Sequence, residues 1–261
     1  MHDIEMHEPS AEFVKCWNAA GAHINRQVPD EEGVIWMRSH LMPPFLEHLS
    51  FALGNQLFFI RLEDVTGHMT VPGSRLGLLS IAKGCNGHPC LMPMKKLLAT
   101  GEWVPAESGW GLIDARTFQP LDPFRLVTNE PIELTDWELQ DFAVQVVRTQ
   151  LEADGYELMS WQGNPAVNPS LWFVGDSDGP EWVVVRAVRY PHQRAVRPMK
   201  WDSIAAGCAK LSTIGHFASV MFASPEQPLA TDDEQPLPIW RGRGAEVRYD
   251  GLEPPTRRGT K

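Results

Sequence analysis

The sequence predicts an α/β (α+β) protein with two lobes. The chain has 261 residues, of which 43% are hydrophobic, and this is enough to bury a sizeable core. In its second half, a stretch with helical periodicity precedes short apolar runs that are separated by Gly, Asn, Asp and Pro, a pattern typical of a helix packed on a sheet. A linker near 123–131 divides the chain. We therefore expect an N-terminal α+β lobe over 1–130, a second core over 131–224, and a Pro-rich, partly mobile tail over 225–261.

The first half carries weaker signals for its elements. Phe13, Val14 and Trp17 share a helical stripe, which predicts a helix over 11–20. The remaining predictions are a helix over 34–53 that Pro43-Pro44 interrupts, strands at 56–62 and 75–82, a loop over 83–93, one or two helical turns at 94–100, and irregular packing over 102–125.

The second half is clearer because its first helix has a defined start. Thr135 and Glu138 have the spacing of a capping box, and Asp154-Gly155 supplies a stop. The run Trp182 to Val185 lacks alternation, as expected for a central strand covered on both faces. The predicted elements are strands at 156–161, 171–175 and 181–190, a helix at 198–211 and a strand at 217–223. In the tail we expect Ile239-Trp240 to dock.

A short sequence repeat occurs once in each half of the chain. Pro-Met-Lys occurs at 93–95 and again at 198–200, in both cases after a predicted strand and before a predicted helix. The spacers differ and a tripeptide match is common, so we favour coincidence over duplication.

Composition limits the partners. With 33 acidic and 23 basic residues the formal charge is −10, which favours basic partners and restricts nucleic acid to a local basic segment. The sequence has no run of about 18 apolar residues, the length needed to span a bilayer, and its N-terminus lacks signal-peptide features. We therefore expect a cytoplasmic protein without membrane contact. The four cysteines are spread along the chain, which favours reduced thiols.

The helix, three strands, helix, strand order of 135–224 resembles the PD-(D/E)XK superfamily, especially its Mrr-like restriction endonuclease branch. Asp154-Gly155-Tyr156 is similar to the phrase that joins helix to sheet in that family. The resemblance implies a restriction-endonuclease-like αβββαβ core around a mixed sheet. It also implies an acid at the start of the second strand and an acid and a lysine on the third, which hold Mg²⁺ and support the attacking water.

This chain departs from the family's site pattern. The second strand begins near Asn168, and Arg186 and Val188 stand where the family has its acid and its lysine. A cation and an apolar side chain cannot bind a divalent metal, so we expect a degenerate core without a cutting site. The alternative is a nuclease with rearranged carboxylates, Asp176 and Glu181, joined by Glu138 or Glu157.

The densest basic segment of this acidic chain is the candidate binding region. Its members are Arg186, Arg189, His192, Arg194, Arg197 and Lys200. Arg186 lies within an apolar run, so it is either paired with a buried carboxylate, which we favour, or exposed in a pocket that binds a phosphate or carboxylate. For the segment as a whole we favour a solvated loop over a patch that meets an anionic partner.

Cys85, His88 and Cys90 form the strongest apparent metal motif. Thiolates and imidazole are zinc ligands, but a structural zinc site needs four ligands and no second pair occurs nearby in sequence. We favour two ordinary reduced cysteines in a loop over a Zn²⁺ site.

Taken together, these features predict a non-catalytic macromolecule-binding protein with a protein partner, for example in bacterial toxin neutralisation, defence or a mobile element. Most of the ten tryptophans should lie in the core, and those of the irregular segment from Trp103 to Trp110 are the candidates for a protein interface, because aromatic anchors are enriched at binding patches. The alternatives are a metal-dependent nuclease and a small-anion sensor that uses Arg186.

Overall fold

A computed structural model describes residues 9–28, 34–37, 49–177, 179–227 and 236–253. The chain divides into two compact units, Met1–Ile132 (unit 1) and Glu133–Lys261 (unit 2). Helices and mixed sheets make up both units, which confirms the predicted α+β class. In the described ranges, no helix is both long and apolar enough to cross a membrane.

In its described residues, unit 1 has a mixed sheet, two α-helices and a short 3-10 helix at Pro123–Arg125. The α-helices are α1 (Ala11–Asn25) and α2 (Arg75–Gly84), and the strands are β1 (Ile35–Met37), β2 (Leu49–Leu53), β3 (Gln56–Asp64), β4 (His88–Lys96), β5 (Trp103–Pro105) and β6 (Ile113–Asp114). The sheet order is β1-β2-β3-β4-β5, with β6 also on β4. Only the β3–β4 pair is parallel among these pairings, because α2 connects the two strands as a crossover.

The start and the buried face of α1 follow from its sequence. The Ser10 hydroxyl accepts a hydrogen bond from the Phe13 amide at 3.1 Å and caps the helix. One face of α1 is buried against the side chains of β2, β3 and β4, among them Phe58 and Ile60. The buried residues of α1 are Phe13, Cys16, Trp17, Ala20 and Ile24.

Unit 2 repeats this plan. Its helices are α3 (Asp136–Ala153) and α4 (Trp201–Cys208), and its strands are β7 (Glu157–Trp161), β8 (Leu171–Val174), β9 (Pro180–Arg189), β10 (Gly215–Ala223) and β11 (Glu246–Tyr249). The strand order is β11-β10-β9-β8-β7, with β9 and β10 parallel and the other pairs antiparallel. The predicted capping box of α3 is present.

Both faces of the unit 2 sheet are covered. Val183 and Val185 pack in the cluster that contains the buried face of α3, whereas Trp182 and Val184 pack with α4. Because successive side chains of a strand point to opposite faces, both residue sets of β9 are buried. This explains the continuous apolar run from Trp182 to Val185 and confirms its central position.

Two predictions for unit 1 are wrong. Residues 35–37 and 49–53 of the predicted 34–53 helix are strands, and the intervening 38–48 lie outside the described residues. Gly54, with φ of +55°, and Asn55 form the two-residue turn of a hairpin rather than a helix stop. The predicted strand at 75–82 is the helix α2, which the Ser74 hydroxyl caps by accepting from the Gly77 amide.

The predicted loop over 83–93 and helical turns over 94–100 are also wrong. Residues 88–96 form the strand β4, in which Pro89 and Pro93 both lie. Proline cannot donate to a ladder, but the carbonyls of Pro89 and Pro93 accept from the amides of Ala115 and Ala106. This pairing stabilises a strand that its composition does not predict.

Part of the predicted tail belongs to the fold of unit 2. Ile239 is buried, β11 pairs with β10, and Arg241 forms an ion pair with Glu138 in which both side chains are at most 3% exposed. Residues 236–253 therefore pack on unit 2, whereas 228–235 and 254–261 lie outside the described residues.

The two units share one topology, which is helix, three-stranded meander, helix, parallel strand and antiparallel strand. In the parallel pair of unit 1, Ile60 lies opposite Cys90, and in that of unit 2, Val185 lies opposite Ala218. In each unit these two residues face the first helix, so the two pairs occupy matching positions. We call residues at matching register positions equivalent. The Pro-Met-Lys tripeptides are not equivalent, because 93–95 lie within β4 and 198–200 precede α4.

Candidate functional site

Arg186 lies on the α4 side of β9, just beyond the point where β8 stops pairing with it. There Gln140 of α3 replaces the missing strand, because its amide donates to the Val185 carbonyl at 2.9 Å and accepts from the Ala187 amide at 3.0 Å. The Ser170 hydroxyl accepts from the Val185 amide at 3.1 Å. These bonds hold the backbone on both sides of Arg186.

The guanidinium of Arg186 has neutral partners. Its Nη1 donates to the Val185 carbonyl and its Nη2 donates to Asn168 Oδ1, both at 2.7 Å. Partial burial lowers the pKa of Arg186. Within the described ranges no carboxylate forms an ion pair with it, so the buried ion pair that we favoured from sequence is not found.

The other arginines of the basic segment are neutralised within unit 2. Arg189 forms ion pairs with Glu133 at 3.0 Å and Asp136 at 3.1 Å. Arg194 and Arg197 both pair with Glu253, at 2.8 and 3.2 Å. The structure therefore does not gather these predicted binding residues into one cationic site.

The remaining members of the segment are exposed. His192 and Lys200 lie at the surface, and Lys200 precedes α4 without a side-chain cap. Two apolar side chains of the same segment are also exposed, Val196 by 85% and Met199 fully. The exposed surface of this segment is thus partly apolar, a feature that its charge pattern did not predict.

Glu181 lies at the start of β9 in a hydrogen-bonded pair with His216. Glu181 Oε2 and His216 Nε2 are 2.6 Å apart, and Glu181 Oε1 accepts from the Ser177 amide at 3.2 Å. Burial raises the pKa of Glu181, but the hydrogen bonds from Ser177 and His216 outweigh it and the pKa is lowered overall. Asp176, the other predicted acid, accepts from the Tyr156 hydroxyl at 3.0 Å. Each carboxylate therefore already has a donor partner.

Sequence reasoning missed the equivalent of this pair in unit 1. His88 Nε2 lies 2.9 Å from Gln56 Oε1, and these residues occupy the register positions of His216 and Glu181. The dipeptide Gly-His occurs at both positions, 87–88 and 215–216, but also at 67–68, so sequence alone does not single out the pair.

The carboxylates of a rearranged nuclease site are not brought together. Glu138 is bound by Arg241 through Nε–Oε1 and Nη2–Oε2 contacts of 2.7 and 2.8 Å, and Glu157 is exposed. Over the described part of the chain, no group of three His, Cys, Asp or Glu side chains is placed to hold a metal ion. The predicted Mg²⁺ ligands therefore do not form a site.

The predicted zinc ligands Cys85, His88 and Cys90 do not form a metal site either. Cys85 follows α2 as its C-cap, whereas Cys90 is fully buried in the cluster beneath α1. Burial raises the pKa of Cys90, which keeps it a thiol, whereas zinc binds the thiolate. His88 is hydrogen-bonded to Gln56 instead.

The fold and these contacts define a class, an α+β protein of two units with the same topology. The comparison with protein families adds a match of residues 137–255 to DUF8840, a domain of unknown function. This match covers less than half of the chain and lies entirely within unit 2. Neither the comparison with curated proteins nor that with solved structures gives a match.

Proposed function

We propose that the protein is a non-catalytic macromolecule-binding protein whose second unit is built on a degenerate nuclease-like scaffold, and that its partner is a protein. The order of elements over 135–224 supports the scaffold. Arg186 and Val188, at the positions of the family's acid and lysine, support the absence of catalysis. Phosphodiester cleavage of that type needs metal-binding carboxylates and a lysine near the water.

The observation that carries the choice of a protein partner is the surface of the segment before α4. Arg189, Arg194 and Arg197 are engaged by carboxylates, which weakens their attraction for nucleic acid. Val196 and Met199 are instead presented to solvent. Apolar side chains of this kind are the contacts that protein interfaces bury.

Contacts on either side hold this segment in place. The Ala195 amide donates to the Ser219 hydroxyl at 2.8 Å, and the Arg197 guanidinium lies 4.5 Å from the ring centroid of Trp201. Because these neighbours are anchored to the unit, the exposure of Val196 and Met199 is built into the fold. The net charge of −10 supports a partner with basic residues around its apolar contact.

Photocrosslinking in cells of the native host tests this proposal. A photoreactive residue at Met199 should give a discrete protein adduct that Val196→Glu abolishes. The same residue at Leu98, an equally exposed position in unit 1, should not give that adduct. No protein adduct from position 199, or a nucleic-acid adduct in its place, would contradict the proposal.

The nuclease alternative has a direct test. The purified chain with Mg²⁺ and duplex DNA should show no cleavage, because Asp176 and Glu181 are engaged and the lysine is missing. Cleavage that Glu181→Ala abolishes would overturn the non-catalytic proposal.

We include a cytoplasmic setting and a role in bacterial toxin neutralisation, defence or a mobile element in this proposal. The four cysteines are buried thiols, which supports a reducing compartment. Affinity for a basic toxin would fit the acidic charge of the chain.

A further inference from the structure

The equivalent positions of the two units carry an arginine on the same strand and the same face. Arg61 pairs with Leu91 in β4, and Arg186 pairs with Ser219 in β10, each one residue after the equivalent pairs at Ile60 and Val185. Both arginines are partly buried and lie on the side away from the first helix of their unit. Because the two units share one topology, the surroundings of Arg186 can be compared directly with those of Arg61.

In unit 1 the arginine has a carboxylate partner. Arg61 Nη1 lies 3.2 Å from Glu63 Oε1, two residues further along β3 on the same face. The residue equivalent to Glu63 is Val188, which pairs with Met221 as Glu63 pairs with Pro93. Unit 2 thus retains the cation and replaces its carboxylate by an apolar side chain.

The groups around Arg186 are donors or neutral acceptors. Asn168 accepts from Nη2 through its Oδ1, and the same side-chain amide carries an NH2 group that can donate to an anion. Ser219, directly opposite in the ladder, accepts from the Ala195 amide and keeps its own hydroxyl hydrogen. Two of the five guanidinium N–H groups of Arg186 donate to Val185 and Asn168, which leaves three for another acceptor.

We infer that Arg186, with Asn168 and Ser219, forms a binding site for the carboxylate or phosphate oxyanion of a small ligand, at the place that the Glu63 carboxylate fills in unit 1. An oxyanion suits the guanidinium because two of its oxygens can accept parallel N–H bonds. Arg186 is only partly buried, so a ligand reaches it from solvent. This site does not use Val196 or Met199, the apolar contacts of the proposed function, but the hydrogen bond from the Ala195 amide to Ser219 joins it to the same segment.

Two reciprocal substitutions, Val188→Glu in unit 2 and Glu63→Val in unit 1, test the site. In the full chain, the Arg186 Nε–H resonance should shift saturably on titration with sodium acetate or inorganic phosphate at constant ionic strength, and the two titrations identify the preferred oxyanion. Val188→Glu should weaken binding about tenfold or more, because the new carboxylate occupies the site. Glu63→Val should create a second saturable response at Arg61.

Two further variants serve as references. Arg186→Met should abolish the acetate- or phosphate-dependent shift of the Ser219 backbone amide, a resonance that this variant keeps, and Lys210→Met, which removes an exposed cation of the same unit, should leave that shift unchanged. The inference is overturned if the wild-type resonance does not saturate with either anion, or if a folded Val188→Glu chain binds as the wild type does. Amide spectra establish folding, and if Val188→Glu does not fold, the absence of any new response in Glu63→Val overturns the inference.

Discussion

Removal of Arg241 should destabilise unit 2 strongly and leave unit 1 unaffected. The side chains of Arg241 and Glu138 are 3% and 2% exposed and form two contacts of 2.7 and 2.8 Å. Arg241→Met leaves the Glu138 carboxylate buried with only the Thr135 amide and hydroxyl as donors. Breaking a buried pair in this way costs about 3–5 kcal/mol, since the remaining charge loses its partner.

Native-state hydrogen exchange measures this cost for each unit separately. At about 1.4 kcal/mol for each tenfold change, the amides of α3 and β10 that exchange through unfolding of unit 2 should exchange about 100-fold to several thousand-fold faster. The control Arg125→Met, which removes an exposed pair with Asp122 in unit 1, should change stability by less than about 1 kcal/mol. An effect of Arg241→Met below about 1 kcal/mol, or equal acceleration in β3 and β4, would refute the reasoning.

Two further predictions concern packing and charge. Gly215→Ala should lower the stability of unit 2 by about 1–3 kcal/mol, because its Cβ would lie 2.0 Å from the Trp182 ring, whereas Gly207→Ala, with nothing within 4 Å, should be neutral or slightly stabilising in thermal denaturation. The pKa of Glu12 is lowered to about 2 by hydrogen bonds from Lys96 and a second lysine, so its stabilisation is complete above its ordinary value of 4.5 and is lost as the pH falls towards 2. An NMR titration of the Glu12 carboxyl should show this pKa rise in Lys96→Met, and an unchanged pKa would contradict the assignment.

The sequence predicts an element well when contacts between residues close together in the chain determine where it begins or ends. The capping box at Thr135 and Glu138 is a contact within one helical turn, so spacing alone reveals the start of α3. The run 75–82 has no comparable periodicity, because a short apolar run fits a strand or a helix equally well. Its Ser74 cap decides for a helix, and this signal was not recognised. Strand β4 was missed because two prolines in nine residues are typical of a loop.

The candidate sites depend on contacts that sequence spacing does not contain. Arg189 meets Glu133 from 56 residues away, and Arg194 meets Glu253 from 59 residues away. Charge density along the chain therefore predicted a basic surface where the fold brings carboxylates to the same arginines. Arg186 stands out in the sequence because it lies in an apolar run, but only the strand register shows that Glu63 of unit 1 is equivalent to Val188 of unit 2.

The two units differ most where their equivalent polar groups lie. In unit 1 the histidine of the parallel strand has a neutral partner, Gln56, and the arginine has the carboxylate of Glu63. In unit 2 the histidine has the carboxylate of Glu181, and Arg186 lies beside Val188. Among the described residues the backbone plan is the same in both units, but the carboxylate beside the arginine is present in unit 1 and absent in unit 2. Since a retained cation without its carboxylate carries a desolvation cost and no ion pair in return, an external anion is the partner that offsets this cost.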